Sequence, residues 1–328
     1  MKGKQGLVCM GLLLVLSSCH TGKQITASGL QRKDFQTEVN GQHTDLFTLS
    51  NKQGMEVCIT NYGARVVSIL VPDRNGKRED VVCGFSTITE YMEQRQNFGS
   101  TVGRYIGRIL NARFTLDGVE YKLVPNNGKS GHISHGGNPG FADRMWKVEQ
   151  ADTHRVRLSY LSPDGENGFP GNLKVTLVYS LGEDDNALDL TYEATTDAPT
   201  VLNLSHHSFF NISGNFTKSV EDQQLWVDAD RFTPYDDKKC VTGEYLQVAG
   251  TPLDFRMPHA IGECIDADHP QLKVVNGYDH TWELNTKGDD TRPAAWVYDP
   301  VSGRKMEIFT TEPGMQIYTG NGLKGKMT

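Results

Sequence analysis

Residues 173–196 read LKVTLVYSLGEDDNALDLTYEATT, and the spacing of their apolar side chains decides the fold class. Val175, Leu177 and Tyr179 share one face of an extended chain, and Leu188, Leu190 and Tyr192 share one face of the next run. Successive strand side chains point to opposite faces, so this alternation marks a half-buried ribbon. LGEDDN between the runs is a turn signal, because Gly supplies positive φ while Asp and Asn bond their own backbone. Working outward, the pattern recurs in MEVCITNYGARVVSILVPD (55–73), RVRLSYLSPDG (155–165), QLWVDADRFTP (224–234) and KMEIFTTEPGMQIYTGNG (305–322). The punctuation is dense, with 34 Gly and 13 Pro. Long stretches of helical period are absent, and TITEYMEQR (87–95) is the best short helix. Many short strands between turns predict an all-β antiparallel sandwich. No repeat, low-complexity tract or linker divides the chain from residue 32 to 328, so one domain is expected there.

The 328 residues carry 33 Lys+Arg against 40 Asp+Glu, a net charge of -7. No basic run supplies an electrostatic footprint for nucleic acid. The N-terminus differs in kind: Lys2 and Lys4 precede the apolar run LVCMGLLLVL, followed by SSC. A charged start, a short apolar stretch and small residues form an export signal, too short to span a bilayer. Leu16-Ser17-Ser18-Cys19 resembles a bacterial lipobox. Residues 1–19 are therefore expected to be a lipoprotein signal with Cys19 lipidated, and 20–31 a polar tether to a cell-envelope membrane. Cys58, Cys83, Cys240 and Cys264 show no metal or redox spacing.

Four polar clusters stand out. GRYIGRILNARF carries Arg104 and Arg108, GHISHGG carries His132 and His135, NLSHHSFFN carries His206 and His207, and NGYDHTWEL carries Asp279 and His280. The run Val201 to Phe210 reads as a strand, so His206 and His207 face opposite ways and only one can look into a pocket. A metal site from His132, His135, His207 and Asp279 is the weaker assembly, because H-x-x-H in a glycine-rich loop has no fixed face. The other assembly uses the histidines for proton transfer, with arginine and aspartate on a polyhydroxylated ligand.

FGSTVGRYIGRILNARFTLDGVEYKL, SHGGNPGFADRMW, LSPDGENGFPGNLKVTLVYSL, NLSHHSFFNISG, GTPLDFR, NGYDHTWEL and TTEPGMQIYTGN resemble, in order, the aldose 1-epimerase (galactose mutarotase) family. The resemblance runs from about Phe35 to Lys326. It implies an antiparallel β-supersandwich, galactose mutarotase-like, and interconversion of the α and β anomers of free hexoses such as glucose and galactose. It implies His207 as general acid, His135 as second active-site histidine, and Arg108 and Asp279 as substrate-binding residues; Gly107 replaces the usual Asn. His206 is then a structural residue. The family's general base is a glutamate beyond the YTGN segment; the sequence continues YTGNGLKGKMT to Thr328 without one, and neither Glu307 nor Glu312 takes its place. The domain is thus expected to be truncated relative to the family and weakened in turnover, with a non-catalytic sugar-binding lipoprotein as the alternative. The chemistry needs no cofactor, a structural Ca2+ is left open, and the partners implied are a free hexose and a membrane, around a monomer.

Overall fold

A computed structural model describes residues 24–323. The expected signal peptide, Cys19 and the first residues of the expected tether lie outside the described residues. From Gln24 the chain is part of the fold: Ile25 bridges Gln31, Thr26 is buried, and the Ala27 N–H donates to Glu56 Oε1 at 2.6 Å.

The strand ladders among the described residues are antiparallel. One four-stranded sheet joins Leu46–Ser50, Glu56–Thr60, Arg65–Pro72 and Arg78–Asp80 in sequence order. A second joins Lys147–Ala151, Arg155–Ser162, Leu173–Leu181 and Leu188–Thr196. Their inner faces meet in one core, where Val57, Ile59 and Val66 pack with Val156, Leu158, Val175, Leu177 and Tyr179. The alternation of 173–196 does what it predicts: Val175, Leu177 and Tyr179 are 0% exposed, and Leu188, Leu190 and Tyr192 pack against the same core.

The C-terminal half forms two further four-stranded sheets. One runs His259–Ala260, Gln224–Val227, Ala295–Tyr298, Lys305–Ile308; the other runs Leu246–Gln247, Arg231–Thr233, Asp279–Glu283, Gly314–Tyr318. They enclose a second core around Leu225, Val227, Phe232, Trp282 and Ala295. The helix expected at 87–95 forms over Ile88–Gln94, where Thr87 and Glu90 exchange the reciprocal bonds of a capping box. Its Ile88 and Tyr91 enter a third cluster with Phe85 and Phe98.

One expected strand is largely replaced. Of Val201 to Phe210 only Ser205–His206 is a ladder, paired with Thr101–Val102. The rest is held by isolated bridges, Asn203 to Tyr105 and Phe210 to Val82, and by backbone bonds such as Gly99 N–H to the His207 carbonyl at 3.1 Å and Cys83 N–H to the Phe209 carbonyl at 2.9 Å. The strand that Ser205–His206 pairs with, Thr101–Val102, is itself only two residues long. Cys58, Cys83, Cys240 and Cys264 are unbridged.

Candidate functional site

The site begins with a glycine loop. Ser134 pairs with Arg108 across the short ladder Arg108–Ile109/Ile133–Ser134, and the chain then turns through His135 at φ 54 and Gly136 at φ 78. A Cβ on Gly136 would lie 1.9 Å from the Gly103 carbonyl oxygen, so only glycine fits this approach. The loop is tied from outside by Asn167, whose Nδ2 donates to the Gly136 and Pro139 carbonyls, both at 2.9 Å. The SPDGENGFPG motif that supplies Asn167 is thus a brace for SHGG.

His135 is fixed at both its backbone and its ring. Its N–H donates to the Gly107 carbonyl at 2.9 Å, and its Nδ1 accepts from the Gly107 N–H at 3.2 Å. An acceptor at Nδ1 requires the neutral tautomer with hydrogen on Nε2. Burial, aided by His207 and Arg108, drives its pKa down to about 3. The His135 and His207 rings meet edge to face, centroids 5.4 Å apart at 88°. Burial also lowers the His207 pKa. Phe209 flanks His207 at 5.0 Å and leads to Tyr318, 5.7 Å from Phe209.

His206 lies on the other side. Its ring contacts Tyr179 at 6.1 Å, its Nε2 meets Ser208 Oγ at 2.6 Å, and its buried Nδ1 has no hydrogen-bond partner among the described residues. The two neighbours therefore separate as strand alternation requires: His206 faces the sandwich core and His207 faces His135.

The opposite wall comes from the C-terminal sheet. Asp279 sits opposite Tyr318, and Gln316 is two residues back on the same strand. Gln316 Nε2 donates to Asp279 Oδ1 at 2.6 Å and to the Tyr235 hydroxyl at 3.4 Å. Burial raises the Asp279 pKa, opposed by Gln316, Arg108 and Lys239. Arg108 and Asp279 both act on the Tyr235 phenol, which burial pushes up to about 12. Arg108, Tyr235, Asp279 and Gln316 thus form one hydrogen-bonding cluster with donors and a carboxylate acceptor. Such a mixture fits a polyol, and Phe209 and Tyr318 offer aromatic surface of the kind that packs on sugar rings.

The structure separates residues that look equivalent in sequence. Arg104 is 1% exposed and makes six hydrogen bonds, to Ser162 Oγ, Thr200 Oγ1 and the carbonyls of Ser162, Pro163, Pro170 and Gly171. It is a structural residue. His132 is buried with Nδ1 accepting from the Asn111 N–H, away from the set with which a metal site would need it. Among the described residues no three His, Cys, Asp or Glu side chains come together to hold a metal ion. Glu307 pairs with Lys305 on the surface, and Glu312 lies in an exposed turn. Gln316, Tyr318, Phe209 and Tyr235 were not among the expected site residues. The alternation of GMQIY, which aligns Gln316 with Tyr318, was the available signal for two of them.

The family model described as aldose 1-epimerase matches residues 45–328. Galactose mutarotase of Sus scrofa is 38% identical over 281 residues, covering 86% of this chain and 79% of that protein. Aldose 1-epimerase of Escherichia coli (strain K12) is 36% identical over 286 residues, 87% of this chain and 81% of its own. Among solved structures, galactose 1-epimerase from Lactobacillus acidophilus NCFM superimposes with a TM-score of 0.77 at 30% identity, covering 88% of this chain and 82% of that one. With a fold shared with that galactose 1-epimerase, and with its two histidines brought edge to face beside Arg108 and Asp279, the chain belongs to the aldose 1-epimerase family of isomerases.

Proposed function

We propose that this protein interconverts the α and β anomers of free hexoses, glucose and galactose among them, by general acid–base opening and closing of the pyranose ring. The observation that carries the reading is the His135–His207 pair, set beside a separate cluster of Arg108, Asp279, Gln316 and Tyr235. His207 gives a proton to the ring oxygen O5 as the C1–O5 bond breaks. His135, held neutral with its Nε2 hydrogen available, donates a hydrogen bond to the same end of the sugar. Arg108 donates to hydroxyls and Asp279 accepts from them, anchoring the sugar while C1–C2 rotates. The proton of the C1 hydroxyl leaves to water. Closure on the other face of C1 returns both protons. No step calls for a cofactor.

The test is polarimetry of freshly dissolved α-D-glucose and α-D-galactose. Wild-type protein accelerates the decay of rotation, and His207→Gln lowers turnover by about 10²–10⁴, the usual share of general acid catalysis. One observation favours a second reading: burial lowers the pKa of both histidines, which disfavours a protonated acid at neutral pH. A sugar-binding protein without turnover would bind hexose and leave the polarimetric decay at the buffer rate.

We also propose that the protein is an envelope lipoprotein held through Cys19, on the strength of the Leu16-Ser17-Ser18-Cys19 sequence. Wild-type protein then fractionates with membranes and Cys19→Ala does not. Soluble behaviour of the wild type would refute the anchor.

A further inference from the structure

We infer that the tight turn Asp236–Cys240 positions Arg108, and that Asp236 sets the affinity of the sugar site through that arginine. The inference rests on the reading of Arg108 as a sugar-binding residue. An arginine on a short surface ladder has several rotatable bonds, and a guanidinium binds a polyol well only if its fork is held in place. Here the hold is a backbone carbonyl: Arg108 Nη1 donates to the oxygen of Lys239 at 3.0 Å.

The direction of that carbonyl depends on an uncommon conformation. Lys239 has φ 62, in the left-handed region that a residue with a Cβ disfavours. It persists because the turn around it is closed by several bonds. Asp236 Oδ1 accepts from the N–H groups of Lys238 and Cys240, both at 2.9 Å. The Asp236 N–H donates to the Cys240 carbonyl at 2.9 Å, and the Lys239 N–H donates to the Asp236 carbonyl at 3.0 Å. The base of the turn is registered to the fold. Tyr235 bridges Val241, and Gln271 binds both the N–H and the carbonyl of Tyr235, at 2.8 and 3.0 Å. Cys240 is buried beneath it. Because Tyr235 also places its hydroxyl against Gln316, one short element aligns the arginine and one wall of the site.

Asp236 is therefore a positioning residue. The experiment compares Asp236→Ala, which removes the acceptor, with Asp236→Asn, whose amide oxygen keeps it. Asp237→Ala, at an exposed position, removes the same charge from the same turn without removing any of the bonds that close it. Initial rates by polarimetry give KM and kcat for D-galactose, and equilibrium titration with D-galactose gives Kd. Asp236→Ala raises KM and Kd about 2- to 12-fold, the range set by re-immobilising one rotamer-rich side chain, and leaves kcat within about 2-fold. Asp236→Asn and Asp237→Ala stay at the wild-type KM. Lys239→Pro, whose ring fixes φ at about -65° and removes the N–H that bonds the Asp236 carbonyl, moves the same carbonyl with the Asp236 side chain intact and gives the same rise. Wild-type KM and Kd in both Asp236→Ala and Lys239→Pro overturn the inference, as does a loss of kcat and melting temperature at constant KM. Arg108→Ala separates the two levels. If it weakens galactose binding and Asp236→Ala does not, the positioning role alone fails; if it leaves Kd unchanged, the reading of Arg108 fails as well.

Discussion

Removing the amide of Asn167 tests whether the brace on the glycine loop matters to chemistry. Asn167→Ala deletes two donors, to the Gly136 and Pro139 carbonyls, at about 1 kcal/mol net for each bond. It also places alanine at φ 51, which adds about 1 kcal/mol of left-handed strain that asparagine tolerates better. The sum is about 3 kcal/mol of unfolding free energy, readable as a lower urea midpoint at constant m. Asn167→Gly deletes the same bonds without the strain, though it costs some unfolded-state entropy, and falls between wild type and the alanine variant. Turnover drops further than stability implies, because a displacement of about 1 Å at a reacting group costs up to about 10²-fold and the brace acts directly on the residue after His135. Both variants are compared by polarimetry well below their unfolding transitions. Full wild-type turnover in both, with stability reduced as calculated, would show that the loop does not position His135 and would refute the argument.

Three further outcomes follow from single features. His206→Asn leaves mutarotation near the wild-type rate, since that ring faces Tyr179; a loss equal to that of His207→Gln contradicts the separation of the two faces. Arg104→Met destabilises by about 4 kcal/mol or more, because four carbonyls lose their donor at once, and a chemical melt with an unchanged midpoint contradicts its structural role. His280 is 0% exposed and burial lowers its pKa to about 4. The unfolded chain, with an ordinary histidine near 6.5, therefore binds the extra proton first. Its contribution is complete above about pH 6.5 and is lost as pH falls toward 4, at about 1.4 kcal/mol per unit. His280→Gln should flatten the acid limb of the stability curve in that window; an unaltered limb counts against it.

Much of this was readable from period-two alternation. The buried face of Val175, Leu177 and Tyr179 and the opposition of His206 to His207 both follow from strand geometry, and the capping box at Thr87 from its residue types. Other features were not legible because they depend on distant partners. Arg104 and Arg108 stand four residues apart in a similar glycine-rich context, yet one is enclosed by the carbonyls of 162–171 and the other reaches a carbonyl at 239. The aromatic run at 201–210 has every local mark of a strand, but its length was decided by the two-residue partner Thr101–Val102. Tyr235 follows a proline in an unremarkable turn, and only its approach to Gln316 reveals its place.

The polar groups of the site come from positions 108, 135, 207, 235, 279 and 316, so no contiguous fragment of the chain holds them. The histidine side of the site is completed only when Ser205–His206 docks on Thr101–Val102 and the C-terminal wall only when Gly314–Tyr318 docks on Asp279–Glu283, and ladders that close over long separations form slowly. Regain of sugar binding is therefore a reporter of complete assembly in refolding. Circular dichroism, which senses the hairpin-like ladders of 147–196, should recover first, with sugar binding following in a separate, slower phase.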